Sequence, residues 1–195
     1  MAVRYAWVEA LEAGAPDIVG AWRGIEEGRP SEVRRLVTAR SDQGTAERTT
    51  AQLAALAQAL RDIVASMPEP LLRVPGGEAD WNVAEAVGHV ADARAGLCLA
   101  AAKAASGSWP SGARPVVPGV PGPPEADREA LLERIRKSQR IAERSARSVA
   151  GHETDPCPLE HPLVGRLSCG GWLVFAGVHD LMHLEQLHDM WDGPA

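Results

Sequence analysis

The chain has one Tyr and one Phe, and no run in which β-branched or aromatic residues alternate with polar ones. A sheet domain therefore has little to build from, because strands rely on such side chains to fill a half-buried surface. Cysteine is scarce and odd in number: Cys98, Cys157 and Cys169 stand outside any Cys-x-x-Cys spacing. This argues against a disulfide framework and against a cysteine-rich zinc knuckle. No amino-terminal apolar stretch looks like a signal peptide, and no run of about 18 apolar residues is present to span a membrane. The expected setting is the reducing cytoplasm, with no membrane partner. Excess positive charge is also missing, with 20 Lys and Arg against 26 Asp and Glu and a net charge of −6. Nucleic-acid binders normally present a basic face, so none is expected as a partner. The densest basic run, Arg134 to Arg147, reads as a solvated helix face.

What is present is helical. The 195 residues suffice for one compact domain with a real core. Between Thr45 and Ser66, the residues Leu53, Leu56, Leu60, Ile63 and Val64 recur at three- and four-residue steps and form one apolar stripe; Pro68 and Pro70 end it. A second helix is expected from Asn82 to Ala105, with Asn82 as N-cap and Glu85 completing a capping box. A third runs from Ala126 to Ala150, with Leu131, Leu132, Ile135, Ile141 and Val149 inward and Gly151 as a C-cap. A fourth, from Gly171 to Trp191, is apolar nearly all round, which suits a central position.

Residues Ser106 to Pro124 hold four Gly and six Pro and cannot be helical. That connection is long enough to run the length of a bundle and start the third helix parallel to the second. The expected fold is thus an all-α four-helix bundle with one long crossover, over residues 41–195. His152 to Gly170 reads as a second loop. Residues 1–40 form an extension of short helices, Tyr5 to Leu11, Ile18 to Ile25 and Glu32 to Val37, broken at Pro16 and Pro30. It either caps the bundle or contributes to a dimer interface. No internal repeat is evident.

The chemistry concentrates in histidine. His179 and His183 are four apart, so on a helix their imidazoles share one face. Two ligands are too few for a transition metal, and His89 is the third candidate. With the second and fourth helices antiparallel, His89 lies about 10 Å from its helix start and His183 about 12 Å from its helix end, at ~1.5 Å per residue. The three fall at similar depth. Three histidines with open positions suit a catalytic or substrate-binding metal; Zn fits best, and Ni and Fe also accept imidazole. Asp92 shares the face of His89 and could orient an imidazole, hold metal-bound water or pair with an arginine. Gln186 lies along the stripe of His179 and His183, either as a candidate orienting group or as a polar residue near the bundle end. Asp180 creates a His-Asp-x-x-His segment, but Asp is one methylene short of the protease glutamate and no sheet is expected. His188 lies about 140° round the helix from His183 and points elsewhere. His152 and His161 read as solvated loop residues. Trp81, Trp109 and Trp172 sit at helix junctions, for packing or for lining a pocket mouth. Nothing marks Cys157 or Cys169 as a nucleophile.

Two stretches resemble a known family. Trp81-Asn-Val-Ala-Glu-Ala-Val-Gly-His-Val-Ala-Asp-Ala-Arg94 resembles the second-helix motif of the DinB/YfiT-like superfamily, in which Trp and Ser or Asn are followed by Glu, His and Asp-Ala. His179-Asp-Leu-Met-His-Leu-Glu-Gln186 resembles its His-x-x-x-His-x-x-Gln fourth-helix motif. The similarity covers about residues 45–191. It implies an up-down-down-up bundle in which His89, His179 and His183 hold a divalent metal, often Zn or Ni. Members of this superfamily include thiol S-transferases that use bacillithiol or mycothiol, a mycothiol-dependent maleylpyruvate isomerase, and proteins described as metal-dependent hydrolases. The expected activity is thiol transfer or hydrolysis on a small molecule, in stress response or detoxification, with a low-molecular-weight thiol as cosubstrate and Asp92 and Gln186 as orienting groups. The alternative is a non-catalytic metal-containing binding or interaction protein. Family habit also suggests a homodimer. The sequence departs from the family pattern in its first 40 residues and in its Pro/Gly-rich crossover, both able to reshape a pocket entrance.

Overall fold

The computed structural model describes residues 6–76, 80–112 and 119–192; Tyr5 and residues 113–118 of the crossover lie outside them. Seven helices follow in order: α1 (Ala6–Glu12), α2 (Pro16–Glu26), α3 (Val33–Thr38), α4 (Thr45–Ser66), α5 (Val83–Ala105), α6 (Arg128–Val149) and α7 (Cys169–Asp192). Each long helix begins where local chemistry directs. Before α4, Gly44 takes the left-handed conformation (φ 85°), which glycine adopts without a Cβ clash. At the start of α5 the Asn82 side chain accepts from Glu85 N and the Glu85 carboxylate accepts from Asn82 N, each at 2.9 Å. Two backbone donors that a helix end would leave orphaned are thereby satisfied. The expected start of α6 moves from Ala126 to Arg128, because Asp127 is the cap and its carboxylate accepts from Ala130 N at 2.8 Å.

The four long helices pack so that α4 and α5 each lie against both α6 and α7. Contacts between α5 and α6 advance together along both: Asn82 bonds the Pro124 carbonyl just before α6, Asp92 meets Arg134, and Arg94 meets Gln139. Contacts between α5 and α7 run in opposite order, with His89 beside His183 and Arg94 on Asp180. The first turn of α6 reaches the end of α4, where Arg128 donates to the Val64 and Met67 carbonyls. The stripe of α4 expected to be apolar is buried throughout. Among the described residues, no helix is long and apolar enough to cross a membrane.

Residues 6–38 lie over α7. Ile18, Val19, Ala21 and Trp22 of α2 are fully buried in the common core. The contact is close at Gly177, where an added Cβ would come within 2.4 Å of Ile18. Gln52 of α4 supplies the cap that Ala15 cannot: its Oε1 accepts from Asp17 N and Ile18 N at 3.0 and 3.2 Å. With α2, α4 and α5 packed on it, α7 has little surface left for water, which is why its sequence is apolar nearly all round.

One expectation about secondary structure fails. The stretch His152 to Gly170, read as a loop in a chain without strands, contains the antiparallel pair β1 (Pro156–His161) and β2 (Gly165–Ser168). In β1 the odd positions Cys157 and Leu159 are buried while Pro156, Pro158 and Glu160 are exposed. Prolines at exposed positions of a two-stranded edge remove no needed ladder bond, but they hide the two-residue alternation from a propensity reading. Gly165, at φ 63°, makes the return turn.

Candidate metal centre

His89 stands on the second turn of α5, and His179 and His183 on successive turns of α7. Packing α5 against α7 brings all three together: their ligand nitrogens lie within 4.8 Å of one another. The three residues are 8, 6 and 4 % exposed in that order, so water scarcely competes for them.

The protons can be placed from their partners. Nδ1 of His89 lies 2.9 Å from the Val120 carbonyl, which only accepts, so Nδ1 carries the proton and Nε2 presents a lone pair. Nδ1 of His183 lies 2.7 Å from Oε1 of Gln186, with the same consequence. Nε2 of His89 faces Nε2 of His179 at 3.3 Å. Ligand nitrogens about 2.0–2.1 Å from a tetrahedral ion are separated by about 3.3 Å, so the group fits a divalent metal. Burial, then the neighbouring histidines His183, His89 and His161, push His179 well below the usual imidazole range, which keeps it in the neutral form a ligand requires. Its Nδ1 is buried without a partner among the described residues.

The crossover has a direct part in this arrangement. Gly122 N donates to the Glu85 carbonyl at 2.9 Å, and Gly122 and Gly88 approach so closely that a Cβ on Gly122 would sit 2.5 Å from the Gly88 Cα. That approach holds the Val120 carbonyl against His89. The Pro/Gly-rich composition recognised as a loop thus supports the site, in a way only the packing reveals.

Gln186 lies beside the group, its Oε1 2.7 Å from His183 Nδ1. Asp92 is not brought to it: of the roles considered, the structure shows pairing with arginine, Asp92 accepting from Arg134 Nη1 at 2.8 and 2.9 Å on the surface. His188 points away, as expected, and stacks on Trp7 with ring centres 4.8 Å apart. His152 is exposed, as expected. His161 is not a solvated loop residue. It ends β1, half-buried, its ring centre 4.9 Å from Phe175 and 6.5 Å from His179, and burial, then the nearness of the His89 imidazole, lower its pKa. Trp81 lies 4.9 Å from His89 and lines the site, whereas Trp172 is fully buried against Phe175. Cys157 and Cys169 come together at the hairpin base, where their thiols interact. Both are buried.

Sequence reasoning missed Arg94. It is fully buried and donates to Oδ2 of Asp180 from Nε at 2.9 Å and Nη2 at 2.6 Å. Its Nη1 reaches Gln139 of α6 at 3.4 Å. Asp180 follows His179 directly, so this pair ties the ligand-bearing turn of α7 to α5 and α6. Burial pushes the Asp180 carboxyl up to about 6, against the opposing pull of Arg94. The signal in the sequence was one arginine in the small-residue interior of α5 and an aspartate just after the apolar first half of α7.

A family model described as the DinB superfamily matches residues 52–187, a span that includes all three histidines. No curated protein and no solved structure matches the chain. With most of its length matched and its histidines gathered in one buried group able to hold a divalent metal, the chain belongs to the DinB superfamily.

Proposed function

We propose that the protein binds one divalent metal ion through His89, His179 and His183, zinc before nickel or iron, and acts with it on a small molecule as a thiol S-transferase or hydrolase. The observation that carries this reading is the pair of proton-free imidazole nitrogens, of His89 and His183, directed into a buried group with His179. When bound, a divalent ion lowers the pKa of a thiol or water and polarises a carbonyl. The chain's own groups orient and shield. Val120 fixes the tautomer of His89 and Gln186 that of His183. Trp81 and Phe175 supply apolar walls against the rings. The Arg94–Asp180 pair holds α7 in register with α5.

The first test is elemental analysis of protein purified without a metal-affinity tag, beside His89→Ala and His183→Ala. About one Zn or Ni per chain, lost in both variants, supports the site; an assay of metal-dependent conjugation of a generic electrophile with cellular thiols then tests thiol transfer. No uptake by the wild type sinks the reading. The low exposure of the three rings also suits a non-catalytic binding protein. That alternative requires melting that depends on metal, with no turnover on a panel of thiols and hydrolysable esters.

A further inference from the structure

The fourth histidine at this site has no role in the reading above. We propose that His161 donates a hydrogen bond from Nε2 to an anionic ligand seated on the three-histidine centre, and so positions that ligand. The proposal rests on the metal reading and assigns the class of ligand the centre takes.

His161 stands outside the ligand group. The ring centres of His89, His179 and His183 are 4.6–5.1 Å apart, while His161 is 6.5 Å from His179, and it is not one of the three whose nitrogens converge. At that separation its ring stands beside the group rather than within it. Its proton is placed by the hairpin: Leu163 N donates to Nδ1 at 3.1 Å, so in the neutral ring the N–H is at Nε2. The turn that makes this bond is tight, with His161 opposite Gly165 in the β register. The hairpin base is anchored in turn, Cys169 N donating to the Asp155 carbonyl at 2.9 Å. The donor is therefore held by backbone rather than by a mobile side chain.

Charge balance selects the ligand. Three neutral imidazoles leave both positive charges of a divalent ion uncompensated, and the neighbouring carboxylates are committed elsewhere. Asp180 is held by Arg94, Asp92 by Arg134, and Glu85 by the cap of α5. An anion completes the site, and one with a further lone pair accepts from His161. A thiolate or a carboxylate meets both requirements. Phe175, against the His161 ring, makes the surroundings of that hydrogen bond apolar, which strengthens it.

Two measurements test this. In metal-free protein labelled with ¹⁵N-histidine, long-range ¹H–¹⁵N correlation should show His161 as the Nε2–H tautomer; the Nδ1–H tautomer overturns the proposal. In cobalt-loaded protein, acetate and 2-mercaptoethanol are titrated separately against the visible absorption of the ion. His161→Ala should keep one cobalt per chain yet bind one or both probes about tenfold more weakly, as loss of a hydrogen bond to a charged group implies. His161→Gln, which keeps both an acceptor and an N–H, should retain most of the affinity. The probe whose affinity falls identifies a thiolate or a carboxylate. Unchanged affinity for both, or no binding of either by the wild type, overturns the proposal. Loss of cobalt from both His161 variants shows a ligand or structural residue and overturns it as well. A wild type that takes up no metal fails at the earlier step and removes the metal reading together with this one.

Discussion

Replacing Arg94 with methionine should be among the most damaging single changes outside the histidines. The guanidinium and the Asp180 carboxylate are both fully buried, and Oδ1 of Asp180 already lacks a partner among the described residues. The methionine side chain would fill the space of the arginine stem but remove both donors to Oδ2. Each charge-assisted bond is worth about 1.5–3 kcal/mol, and breaking a buried pair by deleting one partner costs about 3–5 kcal/mol. Against a total stability of about 5–15 kcal/mol, that is a large fraction. At about 2–4 °C per kcal/mol for a chain of this size, melting should fall by about 6–20 °C. Urea unfolding at neutral pH measures the loss directly. The double variant Arg94→Met with Asp180→Leu separates the cause: it removes the stranded carboxylate and should recover most of the stability, since apolar replacement of a buried pair is often neutral or better. If Arg94→Met lies within about 1 kcal/mol of the wild type, or the double variant is no better than the single, the stranded charge is not the origin of the loss.

Three further outcomes follow from the site. Gly122→Ala should move the crossover off α5, because the new Cβ would meet the Gly88 Cα at 2.5 Å; with the Val120 carbonyl displaced from His89, metal affinity measured against a chromophoric chelator should drop by about 10–100-fold. Gln186→Leu removes the acceptor that sets the His183 tautomer and should cost a similar factor in affinity with the helical circular dichroism unchanged. Asp92→Ala breaks only an exposed pair with Arg134, so urea unfolding should register less than about 1 kcal/mol, and metal content should stay at the wild-type level.

The long helices were legible because their signals are local. The leucine stripe of α4, the Asn82–Glu85 capping box and the terminating prolines act within a few residues, and each element formed close to its expected bounds. The His179–His183 spacing is equally local, and depth along two helices sufficed to nominate His89. What lay beyond local reach was decided by packing. The hairpin forms from a proline-bearing segment because Cys157 and Leu159 find a core to bury into, a fact of the assembled bundle rather than of strand propensity.

Arg94 and Asp180 are far apart in sequence, and neither is tolerable in a core alone; only the approach of α5 to α7 makes them a pair. The Val120 carbonyl and His161 come to the histidines on segments without helical periodicity, so no spacing rule could place them. The amino acids by themselves determined the helices and the three histidines, through interactions over one or two turns. The tertiary structure alone decided what orients and surrounds those histidines, because such contacts exist only once distant segments share one buried space.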